Sequence, residues 1–125
     1  MGADHSSAAF HFTKRRQSVE SRTSGRGVSW TPNTDVYGTL EGLVVKVELA
    51  GMRREDLELT MEGNHLRIAG TRPDGCRSPE CKFILMEINY GSFESVIELP
   101  EGYDLTRAVA AYQNGFLRID VPFSN

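Results

Sequence analysis

Apolar and polar side chains alternate without a break over residues 57–62. Leu57, Leu59 and Met61 fall on one face of an extended chain, and Glu58, Thr60 and Glu62 on the other. Period-two alternation of this kind predicts a half-buried strand. Gly63-Asn64 supplies turn chemistry, and Leu66 and Ile68 then alternate with His65 and Arg67, so the two runs predict a hairpin. Upstream, Val45, Val47 and Leu49 alternate with Lys46 and Glu48, after "DVYGTL" and a break at Glu41-Gly42. Downstream, "SFESVIEL" ends at Pro100. A last pair joins Val109–Tyr112 through Asn114-Gly115 to Phe116–Val121, where Leu117, Ile119 and Val121 alternate with Arg118 and Asp120.

Helical signal is nearly absent: "MRREDL" and "GYDLTRA" each allow a single turn and neither carries an amphipathic stripe. Short strands at regular spacing with polar turns predict an all-β fold, an antiparallel immunoglobulin-like β-sandwich over residues 31–125. The first 29 residues show no sustained period and are rich in Ser, Arg and Gly, so residues 1–30 are expected to form a flexible arm. Within it, Phe10 and Phe12 flank His11 and offer a contact for another protein.

One connection is too long for a compact domain. Between the strand ending near Gly70 and the one starting near Phe93 lies "TRPDGCRSPECKFILMEINYG", polar at first and then apolar in "KFILMEI". Most connections in compact domains are short. An economical reading is that the excursion, residues 71–90, carries a strand that leaves its own domain and pairs with a neighbour's sheet, making a symmetric dimer.

Composition narrows the function. At 125 residues, 39% hydrophobic and 25% charged, the chain has room for one well-filled core. No apolar run approaches the roughly 20 residues that span a bilayer. The N-terminus lacks the charged start and apolar stretch of a secretory signal, so a cytoplasmic location is expected. The net charge of −3 is uneven. Residues 1–30 hold Lys14, Arg15, Arg16, Arg22 and Arg26 against Asp4 and Glu20, a net of +3, and the remainder carries −6. An acidic body repels phosphate backbones, and five dispersed charges in a polar arm read first as a solvated tail, so nucleic-acid binding is disfavoured.

No catalytic constellation is visible. His5, His11 and His65 lack metal-ligand spacing, no serine sits in a nucleophile elbow, and no glycine-rich phosphate loop precedes a helix. The acids Glu55 and Asp56 sit at a turn, where they cap a short helical segment. Cys76 and Cys81 fit neither a redox pair two residues apart nor a four-ligand zinc site. Free thiols and a conditional disulfide both stay open, and an inter-chain disulfide becomes possible if the excursion crosses to a partner. Neither a cofactor nor an enzyme activity is expected.

Three stretches taken together resemble the small heat-shock proteins and their α-crystallin domain. They are "DVYGTLEGLVVKVELAGMRREDLELTMEGNHLRIAGTR", "EINYGSFESVIELPEGYD" and "AVAAYQNGFLRIDVP", the last carrying an A-x-x-x-N-G-x-L-x-I-x-V-P pattern on Ala110, Asn114, Gly115, Leu117, Ile119, Val121 and Pro122. The resemblance covers about residues 31–123. It implies an ATP-independent holdase that binds partly unfolded client proteins, and a homodimer exchanging the strand of Phe83, Ile84 and Leu85. It also implies a client or partner groove between the strand of Leu57, Leu59 and Met61 and that of Val109 and Ala111, a groove that receives an I-x-I tail in the family. After Val121-Pro122 only Phe123, Ser124 and Asn125 follow, so a dimer or small oligomer with an open groove is expected, the arm being the obvious substitute for that tail. Two arginines common in the family's dimer contacts are Ser95 and Ile88 here. The competing reading is a monomeric co-chaperone or adaptor module docking on a larger ATP-driven chaperone.

Overall fold

The computed structural model describes residues 13–14, 30–73, 75–76 and 78–125. Eight strands are present among them: β1 (Thr13–Lys14), β2 (Thr34–Gly38), β3 (Gly42–Glu48), β4 (Leu57–Glu62), β5 (His65–Arg72), β6 (Gly91–Glu98), β7 (Val109–Gln113) and β8 (Phe116–Pro122). They form two four-stranded sheets, one ordered β1-β4-β5-β6 and the other β2-β3-β8-β7. Every pairing is antiparallel except that of β1 with β4. The all-β sandwich expected from alternation is the observed fold.

Each hairpin forms where its sequence predicts. Met61 pairs with Leu66 and Leu59 with Ile68, so the apolar stripes of β4 and β5 share one face. Between β7 and β8, Asn114 (φ 55°) and Gly115 (φ 82°) adopt the left-handed conformations that a two-residue hairpin turn requires. The two segments expected to make one helical turn do so as 3-10 turns, Arg54–Asp56 and Leu105–Arg107. Asp104 caps the second by accepting the Thr106 N–H at 3.0 Å.

The core lies between the sheets. Leu59, Leu66, Ile68 and Phe93 from one sheet meet Leu43, Val45, Val47, Leu117, Ile119 and Val121 from the other. Leu49 and Met52, in the crossing from β3 to β4, complete it. At the other end of that crossing, Asp56 is fixed by the Arg53 N–H at 3.1 Å and by its guanidinium.

The apolar run "KFILMEI" forms no strand within the isolated chain. It lies outside both sheets, in the connection between β5 and β6, which pair with each other from His65–Glu98 to Arg72–Gly91. The excursion therefore leaves the sheet at one pair of residues and returns beside it.

Candidate interaction surfaces

The excursion has fixed feet and an exposed middle. At its base, the Arg72 guanidinium donates to the carbonyls of Asn89 (3.0 Å) and Ala50 (3.2 Å) and lies 4.5 Å from the Trp30 ring. Trp30 in turn donates from Nε1 to the Gly91 carbonyl at 3.1 Å and packs on Phe93, with ring centroids 5.1 Å apart. Beyond this clamp the side chains face solvent: Phe83 is 51% exposed, Ile84 100%, Leu85 72%, Met86 54% and Ile88 59%. A largely apolar run left in water is a common mark of a protein contact. In an extended chain Ile84, Met86 and Ile88 share one face, which is wholly apolar, whereas Phe83 and Leu85 share the other with Glu87.

A free sheet edge lies on the same domain. β2 pairs only with β3, and it carries the exposed Val36 and Tyr37. An unpaired edge presents a row of N–H and C=O groups to any extended segment. Within the excursion, Cys76 and Cys81 are joined as a disulfide with Cα atoms 6.4 Å apart.

The second candidate surface runs along β4 and β7. Leu57 and Met61 are partly buried against the core, and so are Ala108 and Tyr112 on the β7 side. Leu59 is a core residue, only 3% exposed. Val109 and Ala111 take the opposite face of β7 from Tyr112. They pair across the ladder with Asp120 and Arg118 and so lie on the outer face of their sheet, whereas Ala110 and Tyr112 pair with the buried Ile119 and Leu117 and point inward. A strand reading "VAAY" is apolar on both faces, so its own pattern leaves the parity open, and the register with β8 settles it. Tyr112 also ties β7 to the β3–β4 crossing, its hydroxyl donating to the Leu49 carbonyl (2.6 Å) and accepting the Met52 N–H (3.1 Å).

The edge of β4 is not bare. Thr13 pairs with Thr60 and Lys14 with Met61 in parallel register, so residues 13–14 of this chain lie along it. Phe10 and Phe12 fall outside the described residues. Sequence patterning gave neither the register of this pairing nor the Arg72–Trp30 clamp. The signal for the clamp was faint, a lone Trp where β-type patterning begins and an Arg where the excursion leaves.

Charged groups on the surface pair locally. Arg67 is bonded to Glu94 and lies 3.7 Å from Glu58. The Thr106 hydrogen bond and the Arg107 guanidinium hold the Asp104 carboxyl below its ordinary range, and Arg53 does the same for Asp56. Hydrogen bonding to Asp120 raises the Arg118 guanidinium further. The Arg107–Asp104 and Arg118–Asp120 pairs are solvent-accessible and of small energetic weight, whereas Arg67–Glu94 is part-buried. Among the described residues no three His, Cys, Asp or Glu side chains converge on a metal site, and no helix is long and apolar enough to cross a membrane.

The structure thus defines a class: an immunoglobulin-like antiparallel sandwich whose distinctive features are strand edges and exposed apolar surface. Comparison with known proteins makes the class specific. Residues 36–125 match the Hsp20/alpha crystallin family, and the chain belongs to that family, one of small heat-shock chaperones rather than enzymes. Spore protein SP21 of Stigmatella aurantiaca is 31% identical over 94 residues, covering 75% of this chain and 56% of that protein. Small heat shock protein C2 of Rickettsia felis is 30% identical over 91 residues, 73% of this chain and 59% of that protein. The chain therefore spans less than two thirds of these relatives' length. Among solved structures, the hspA protein of Xanthomonas axonopodis superposes with a TM-score of 0.70 at 29% identity, covering 77% of this chain and 96% of that one. A small heat-shock protein from Xylella fastidiosa, reported to show a distinct high order structure, gives the same TM-score and identity over 77% of this chain and 88% of that one.

Proposed function

We propose that this chain is an ATP-independent holdase, which captures partly unfolded proteins and keeps them from aggregating. The observation that carries the reading is the continuous exposed run from Phe83 to Ile88, beside unpaired strand edges, on a family sandwich. Unfolding clients expose the same two things, apolar side chains and unpaired backbone, and aggregate by matching them with one another. A surface offering both competes for those groups, and nothing in the capture step needs hydrolysis.

The same run serves assembly. Paired along the β2 edge of a second copy, residues 83–88 satisfy their backbone groups and bury Ile84, Met86 and Ile88, and two-fold symmetry repeats the contact. The product is a homodimer working in the cytoplasm, with small oligomers built from it. The apolar seam of Leu57, Met61, Ala108 and Tyr112 is the second contact surface, open to an extended segment in competition with residues 13–14.

Light scattering from a heat-labile client, without ATP, tests the reading. Suppression at near-stoichiometric ratios of chain to client is expected. Undiminished scattering at a several-fold excess refutes the holdase and favours an adaptor acting through another chaperone.

A further inference from the structure

The two cysteines precede the exposed run, and a local turn brings them together. Ser78, Pro79, Glu80 and Cys81 form a β-turn closed by the Cys81 N–H to the Ser78 carbonyl at 2.9 Å. The Ser78 hydroxyl accepts the Glu80 N–H at 3.0 Å, and proline is favoured at the second position of such turns. The disulfide closes a ring over residues 76–81. That ring lies outside both sheets, since β5 ends at Arg72 and β6 begins at Gly91, so it opens and closes without breaking a ladder bond.

The bridge is open to attack. Both cysteines are only half-buried, and Gly75, Ser78, Pro79, Glu80 and Lys82 around them are exposed. Exchange needs a thiolate to reach a disulfide sulfur, so access helps to set its rate. Arg77 directly follows Cys76 in sequence and Lys82 directly follows Cys81, and a neighbouring cation favours the thiolate that departs. Glu80, on the other side of Cys81, offsets the second of these, which leaves Cys76 the better leaving group. Position adds to access. Phe83 lies two residues beyond Cys81, at most about 7 Å along the chain, and opens the exposed run that ends at Ile88. A polypeptide lying on that run therefore brings its own cysteines close to the Cys81 sulfur.

We propose that Cys76–Cys81 is a thiol–disulfide exchange site, which passes its disulfide to cysteine pairs of unfolded proteins held on residues 83–88. The inference rests on reading that run as the client-capturing surface and adds a chemical step to it. A client thiolate attacks the Cys81 sulfur, the S–S bond breaks, and Cys76 leaves as a thiolate that takes up a proton. A second client thiolate attacks the client sulfur of the mixed disulfide, forming the client's own disulfide and expelling the Cys81 thiolate, which is protonated in turn. The client is oxidised by two electrons and the protein is reduced to its dithiol. The two protons given up by the client thiols are matched by those gained at Cys76 and Cys81. A low-molecular-weight disulfide restores the bridge by the same two exchanges and leaves as two small thiols. In a reducing compartment the pair stays a dithiol and the run holds clients without exchange, so the chemistry belongs to oxidising conditions.

The test offers two synthetic dithiol peptides to the full chain in its disulfide form. Both carry two cysteines at the same spacing, one among apolar residues and the other among serines. Loss of the protein disulfide is read by thiol alkylation and mass. A bound peptide presents its thiols at an effective concentration in the millimolar range, about a hundredfold above about 10 μM free peptide. One-tenth occupancy of the run then makes the apolar peptide react about tenfold faster, and that preference is expected. Ile84→Asp is expected to remove it and Val96→Asp, away from the excursion, to keep it. Equal rates for the two peptides, a preference that survives Ile84→Asp, or cysteines that stay fully reduced in oxidised glutathione overturn the exchange site. Binding of a cysteine-free apolar peptide, read by fluorescence anisotropy, separates the two layers. If that peptide does not bind, the capture reading falls and the exchange site with it. If it binds through Ile84 while the two dithiols react equally, the exchange site alone falls.

Discussion

Ile84 is fully exposed in the isolated chain, so replacing it removes no intrachain contact, yet its removal from a dimer contact is counted twice. Burying one isoleucine side chain is worth about 1.5–3 kcal/mol. Two symmetric copies bring the loss from Ile84→Asp to about 3–6 kcal/mol, and at about 1.4 kcal/mol per tenfold the dimer dissociation constant rises about 10²- to 10⁴-fold. Desolvating the carboxylate adds to the penalty, so the lower figure is a floor. Sedimentation equilibrium across a concentration series reads the constant, and amide hydrogen exchange on the dilute monomer reads the fold. Core protection at β3, β5 and β8 is expected to match wild type. Val96→Asp is the control, because Val96 is 55% exposed on the outer face of its sheet, away from the excursion. Equal weakening by both variants, or a shift below tenfold for Ile84→Asp in a folded protein, refutes the placement of Ile84 in the contact.

Three further outcomes follow from the geometry. Gly70→Ala is expected to destabilise the domain by about 3 kcal/mol in a denaturant titration, the upper range for overpacking; a Cβ there lies 2.8 Å from Phe93 Cζ and closer still to the backbone carbonyl of Asp56, a residue whose N–H and carboxylate are both bonded to Arg53. Leu59→Asp is expected to abolish cooperative unfolding, because it puts an unpaired carboxylate in the core, whereas Val109→Asp, at a position 63% exposed, leaves the thermal midpoint nearly unchanged; similar midpoints for the two would contradict the assigned parity. Asp104 titrates below its ordinary value when folded, so its contribution is fully present above the usual carboxylate range and is lost as pH falls through the folded value. Asp104→Asn keeps the cap and removes the charge, and a flatter acid limb in the plot of thermal midpoint against pH is expected. An acid limb identical to wild type would show that Asp104 carries none of it.

Much of this protein is legible in its residues taken in order. Where one face of a strand is apolar and the other charged, as in β4, β5 and β8, alternation gives element, hairpin and inward side together, and Asn114-Gly115 marks its turn by backbone chemistry alone. The anomaly of the excursion was also visible, as an apolar run with no place in a short loop. Hydropathy reports a side chain's preference for burial but not which surface will satisfy it, and three features depended on that second quantity. The parity of β7 came from its register with β8, because "VAAY" is apolar on both faces. The clamp at the foot of the excursion joins Arg72, Trp30, Ala50 and Asn89, residues far apart in sequence whose meeting depends on how the sheets stack. The exposure of Ile84 and its neighbours goes with β5 and β6 pairing with each other, which leaves the run in the connection between them and outside both sheets. Local pattern sets what each residue can satisfy alone, and tertiary pairing, which consumes edges and faces one by one, decides what remains available for a partner.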